Sequence, residues 1–121
     1  MLQIIFNEIS AAELSHLSTL DQLRLLDEFK VDPDQLAAGN GSQFGTLERD
    51  GRTLYRYRAE DYRIYFAVES GRVIVHRILH KNTLEDFLFR SKLKGSEDEA
   101  LSQSRHFWKL IEEGENARRV G

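Results

Sequence analysis

Three runs, RTLYRYR (52–58), YRIYFAVE (62–69) and RVIVHRIL (72–79), constrain what this chain can fold into more than any other feature. They are rich in aromatic and β-branched residues and are separated by very short connections, which reads as an antiparallel meander. Ser70-Gly71 forms the two-residue loop between the last two runs, where glycine can supply the positive φ that a hairpin turn requires. Along the middle run Tyr62, Ile64, Phe66 and Val68 point one way, and Arg63, Tyr65, Ala67 and Glu69 the other. The first face is core. The second is mixed, which fits a sheet with helices on one side and a partly open groove on the other.

The flanking segments supply the rest. LQIIF (2–6) reads as a buried strand. Ser10 with Glu13 makes a capping-box pattern ahead of a short helix at about 11–17, and Ser18 with Asp21 repeats it before a second helix ending near Lys30. In that helix Leu20, Leu23, Leu25, Leu26 and Phe29 trace an apolar face. Asp32-Pro33 disfavours further helix, and Gly39-Asn40-Gly41-Ser42 reads as a loop. Asn82 and Glu85 precede a helix at about 83–93, and Ser96 with Glu99 precedes an amphipathic helix, 96–113, that stops at Gly114 before a loose tail. The division is an α+β domain at 1–94 and a C-terminal extension at 95–121.

With 40% hydrophobic and 31% charged residues the chain has the composition of a folded globular domain. It contains no cysteine, and its four histidines lack ligand-like spacing, so no metal site and no cofactor is implied. No apolar run is long enough to span a bilayer and the first residues lack the marks of a secretory signal, so a cytoplasmic protein without membrane partners is expected. The net charge of −3 is unevenly spread: residues 1–48 hold two basic and eight acidic side chains, residues 49–94 eleven basic and six acidic. Either the surface is polarised, with the second half able to approach phosphate or an acidic partner, or the charges meet in internal ion pairs.

The segments RYRAEDYRIYF (56–66) and IVHRILHKNTLEDF (74–87) resemble the RelE/ParE toxin superfamily, with its alternating arginines, tight turn, Asp-Tyr-Arg and hydrophobic strand. The resemblance covers about 1–94. It implies an N-terminal strand, two helices and an antiparallel meander completing a four-stranded sheet, followed here by two C-terminal helices. In RelE-like members, basic residues on the concave face of the sheet bind messenger RNA in the ribosome and stabilise charge on the scissile phosphate, a task suited to the permanently charged, forked guanidinium. By that resemblance Arg56, Arg58, Arg63 and Lys81 are the binding cations, and His80 is a candidate acid or base.

Four features depart from the family, among them Lys81, which stands where an arginine is commoner. Phe87 stands where a tyrosine is expected near the site, the chain is acidic, and the helix 96–113 is additional. Its Phe107, Trp108 and Ile111 either pack on the domain, cover the groove or dock a partner. Two functions follow from the resemblance. One is a non-catalytic binding protein in RNA metabolism, holding a ribonuclease or a ribosome-associated partner through Arg56, Arg58, Arg63, His80, Lys81 and Phe87. The other is a ribosome-dependent messenger RNA interferase restrained by a cognate antitoxin, with Arg63, Lys81 and His80 in the site. A gyrase poison of the ParE type is a third option for which no residue speaks.

Overall fold

The computed structural model describes residues 2–37, 43–91 and 95–120. The elements in chain order are β1 (Gln3–Asn7), α1 (Glu8–Ser15), α2 (Thr19–Glu28), α3 (Pro33–Ala37), β2 (Phe44–Arg49), β3 (Arg52–Ala59), β4 (Tyr62–Glu69), β5 (Arg72–His80), α4 (Lys81–Ser91), α5 (Glu97–Ser102), α6 (Arg105–Asn116) and β6 (Arg119–Val120). The strands form one mixed sheet in the order β2-β3-β4-β5-β1-β6.

The meander is present as β3, β4 and β5, but the sheet it belongs to is not the expected four-stranded one. The sheet has six strands, and β1 lies parallel to β5, with Ile4 opposite Val73 and Phe6 opposite Val75. β2 precedes the meander and pairs with β3 through the turn Asp50-Gly51, whose φ angles of 52° and 79° are those of a type I′ hairpin. β6 forms where a loose tail is expected: Val120 pairs with Phe6 and Arg119 with Asn7. The expected loop at residues 39–42 lies outside the described residues.

Helix starts follow local chemistry, not always at the expected residue. α1 is capped by Asn7, whose side chain accepts from the Ser10 amide while the Ser10 hydroxyl accepts from the Asn7 amide. Glu13, expected in the capping box, instead reaches Arg77 on β5. Pro33, expected to end helix, opens α3, a position where its missing N–H costs nothing. The expected helix 96–113 is two helices, because Ser104 starts α6 by accepting from the Phe107 amide. α6 continues past Gly114 to Asn116, and a methyl group at Gly114 would collide with the His76 backbone carbonyl. Glycine there allows close packing of helix on sheet.

Both sheet faces are covered. One core, with Leu25, Phe29, Val31, Phe44, Tyr57, Ile64, Phe66, Val73 and Val75, lies on the side of α1 to α3. The other, with Leu47, Leu54, Tyr65, Leu79 and Leu84, takes in Leu101 of α5 and Phe107, Trp108 and Ile111 of α6. The expected open groove is therefore filled by the C-terminal helices, whose apolar stripe needs an apolar face to bury. Among the described residues no helix is long and apolar enough to cross a membrane.

Candidate functional site

Arg56, Arg58 and Arg63 project from the same sheet face. Strand register sets this, since Arg58 lies directly opposite Arg63 and Arg56 opposite Tyr65. The face they share is closed by α5. Arg56 is buried, with Nε 3.2 Å and Nη2 2.7 Å from Asp98 Oδ2 and Nη1 donating to the Gln43 carbonyl at 2.7 Å. Gly45 lies beneath this guanidinium, and a Cβ there would occupy its space. Arg63, also buried, donates from Nε to Glu97 Oε1 at 2.9 Å and from Nη1 to the Glu60 carbonyl at 2.8 Å.

Two adjacent carboxylates of one helix turn thus hold the two arginines that the family resemblance assigns to RNA. Ser96 caps α5 and aims its first turn at the sheet, accepting from the Glu99 amide. The open arginine surface of the sequence reading is replaced by an internal salt-bridge layer. Arg58 is half-buried at the edge of this layer, and its Nε has no hydrogen-bond partner.

The remaining candidates do not join them. His80 pairs with Tyr62, a residue of the α1–α3 side; their rings meet edge to face at 5.0 Å, and its Nδ1 accepts from the Asn82 amide at 3.0 Å. That bond helps start α4 and leaves the imidazole away from Arg56 and Arg63. Lys81 sits beyond the end of β5, with Nζ 3.1 Å from Asp61 Oδ1. Phe87 packs against the second core and meets the His106 ring edge to face at 6.2 Å. Phe107 and Ile111 are fully buried, and Trp108 donates from Nε1 to the Ser102 carbonyl at 2.9 Å. No group of three or more potential metal ligands occurs among the described residues.

Sequence reasoning passed over several polar residues that organise this face. Arg77 donates from Nη2 to Glu13 Oε2 at 2.9 Å and from Nη1 to the Leu110 carbonyl at 3.1 Å, while Glu13 also accepts from the Ile78 amide. α1, β5 and α6 are joined through this one guanidinium. Asn7 is buried, and its amide nitrogen lies 3.1, 3.1 and 2.8 Å from the carbonyls of Val75, His76 and Gly114.

Tyr65 lies under α6 with its ring 5.0 Å from that of Phe107 and its hydroxyl unpartnered. Burial, reinforced by Glu97 and Asp98, pushes that hydroxyl's pKa well above its ordinary value. His76 occupies a β-bulge: Tyr65 pairs with Arg77 and Phe66 with Val75, so His76 is the extra residue. Burial pushes its pKa below the ordinary histidine value, and its Nδ1 has no partner.

The arrangement can hold α5 and α6 tightly on the sheet. Among the described residues it presents no open cluster of cations on the Arg56–Arg63 face, and His80 lies with Tyr62 on the other side of the sheet. Comparison of the chain with protein-family models, with curated proteins and with solved structures finds no match.

Proposed function

We propose that this chain is a non-catalytic binding protein of the cytoplasm that acts in RNA metabolism by holding a protein partner, a ribonuclease or a ribosome-associated protein. The resemblance of residues 56–66 and 74–87 to the RelE/ParE superfamily supports the setting. The observation that carries the absence of catalysis is that Asp98 and Glu97 of α5 occupy the guanidinium groups of Arg56 and Arg63. A phosphodiester would have to displace two charge-assisted, largely buried pairs to reach them.

The surface that favours a protein partner is on α2. Leu20, Leu23 and Leu26 recur at helical spacing and are 64%, 62% and 46% exposed, while Leu25 and Phe29 turn inward. The apolar face read from the sequence is therefore divided between the core and solvent. Asp21, Asp27 and Glu28 lie on the same helix, within the half of the chain that holds eight acidic and two basic side chains. The occupant fitting such a stripe is a basic amphipathic segment, its apolar anchors on the leucines and its cations against the carboxylates.

The test has two arms. Incubated with translating ribosomes and messenger RNA, the purified chain leaves the message intact; robust ribosome-dependent cleavage would overturn the proposal in favour of an interferase. In a pulldown from native cytosol, the wild-type chain retains a ribonuclease or ribosomal protein that the Leu20→Asp/Leu23→Asp variant loses. Both positions are exposed, so the variant should fold. Equal capture by both chains excludes α2 as the docking surface.

A further inference from the structure

A cleft along the edge of α6, where the helix meets the sheet, is used by neither the salt-bridge layer nor the α2 stripe. It consists of two hollows of about 360 and 370 Å³ that share Arg52 and Trp108 as a common wall. The Arg52 guanidinium lies 5.3 Å above the Trp108 ring and fixes the boundary between them. The first hollow lies between the β2–β3 turn and the start of α6, and is lined by four cations, Arg49, Arg52, Arg105 and Lys109, against two carboxylates, Asp50 and Glu112. The second has Thr53 and His76 among its lining residues.

The cations differ in how far they are already engaged. Arg52 is held by Glu112 at 3.3 Å and by Glu115, in pairs whose side chains are at least one third exposed. Such solvent-exposed pairs are weak and can exchange partners. Arg49 is 3.7 Å from Asp50. Arg105 and Lys109, one turn apart on α6, are exposed and form no ion pair with any described residue. The first turn of α6 carries no acidic side chain, unlike that of α5 with Glu97, Asp98 and Glu99. Unpaired cations therefore gather where a helix also presents free amide hydrogens.

The second hollow contributes an independent observation. His76 is only 6% exposed, lines this hollow, and has a ring nitrogen without a hydrogen-bond partner. That nitrogen, Nδ1, is sealed from the hollow, so the ring can meet a ligand there only through Nε2. The β-bulge that carries His76 also fits, since bulges re-aim side chains beside functional sites. A neutral imidazole has one donor and one acceptor to give.

We propose that this cleft binds a phosphate-bearing ligand, its phosphoryl group held by Arg49, Arg105 and Lys109 and the rest of it passing over the Arg52 guanidinium that covers Trp108, toward His76. A phosphoryl group carries three acceptor oxygens and more than one negative charge, so it can engage several cations together, which a single carboxylate cannot. Each hollow is of the size that takes a small ligand. A free nucleoside phosphate and a polynucleotide strand share this chemistry. The site does not depend on the partner surface assigned to α2.

Trp108 is the sole tryptophan of the chain, so its fluorescence reports occupancy directly. The full-length chain is titrated with inorganic phosphate, adenosine 5′-monophosphate and a short single-stranded RNA. A saturable fluorescence change is expected with at least one of them, and its affinity should fall at least tenfold in Arg105→Glu/Lys109→Glu. If the RNA binds and the mononucleotide does not, the ligand is a strand; if the mononucleotide binds as well, it is a nucleotide.

For the RNA, loss of two phosphate contacts should reduce the slope of log affinity against log salt by about 1.4. Glu112→Gln removes a competing carboxylate and should tighten binding severalfold without endangering the fold. No saturable change with any probe, or equal affinity in the wild type and the Arg105→Glu/Lys109→Glu variant, would overturn the proposal.

Discussion

Asp98→Ala tests whether the salt-bridge layer holds α5 on the sheet. Asp98 accepts from Nε and Nη2 of Arg56, whose side chain is 3% exposed against 20% for Asp98. Removing one partner of a buried pair strands the other charge, at a cost of about 3–5 kcal/mol. Arg56 keeps the Gln43 carbonyl as an acceptor, and the intact pair already has some contact with solvent through Asp98, so the lower end applies: about 3 kcal/mol. With a urea slope of about 1.5–2 kcal/mol/M for a domain of this size, the unfolding midpoint should fall by about 1.5–2 M. Asp98→Asn retains an oxygen acceptor and should lose roughly half as much. The double replacement Arg56→Met/Asp98→Leu removes both charges and should lie within about 1 kcal/mol of wild type, because apolar groups of similar volume often replace a buried pair without loss. The assay is equilibrium urea unfolding followed by Trp108 fluorescence and by circular dichroism. A midpoint for Asp98→Ala within about 0.5 M of wild type would refute the reasoning, as would a double variant less stable than either single one.

Two further outcomes follow from single buried groups. Tyr65→Phe deletes a hydroxyl that has no partner while keeping the ring against Phe107, so it should raise stability by about 1 kcal/mol, read as a higher melting temperature; a loss of that size would mean the hydroxyl is bonded. His76 should make stability depend on pH. Its folded pKa is lowered below 6.5, mainly by burial and also by Arg119 and Arg52, against Glu115 and Glu69. The unfolded chain therefore binds the additional proton, and stability should be constant above about pH 6.5 and fall below it, by at most about 1.4 kcal/mol per pH unit, until the folded pKa is reached. His76→Gln should flatten that segment in urea unfolding at pH 7.5, 6.5 and 5.5, and an unchanged wild-type slope in the variant would remove His76 as its cause.

What the sequence shows and what it conceals divide along physical lines. The strands β3 to β5 are visible because alternation of side chains has a period of two, and the register of one face follows from it. That Arg56, Arg58 and Arg63 share a face was readable for this reason. β2 is concealed by Gly45, which weakens strand propensity yet is required because the Arg56 side chain crosses over it. The Asp50-Gly51 dipeptide was the available signal, since such a pair between two alternating runs marks a hairpin. β6 has only two residues and no pattern to read. The parallel pairing of β1 with β5 depends on how α1 and α2 return the chain, which no local periodicity records. Gly114 shows the opposite error: a glycine that resembles a helix stop is a contact point inside the helix.

Ion pairing was the least readable part, and it changes the functional argument most. Charge counts along the chain separate an acidic first half from a basic middle, but they cannot say which carboxylate meets which guanidinium. Arg56 finds Asp98 and Arg63 finds Glu97, residues 42 and 34 positions away. Arg77 finds Glu13, 64 positions away in the other direction. These three arginines of the middle segment are thereby consumed in holding α1, α5 and α6 on the sheet, and they cannot also form a free basic surface. Arg49, Arg105 and Lys109, gathered at the first hollow beside α6, are among the described cations for which the fold provides no buried carboxylate. A polarised sequence therefore does not become a polarised surface in the same place: the fold neutralises the basic strands internally, and the cationic surface reappears at one end of α6.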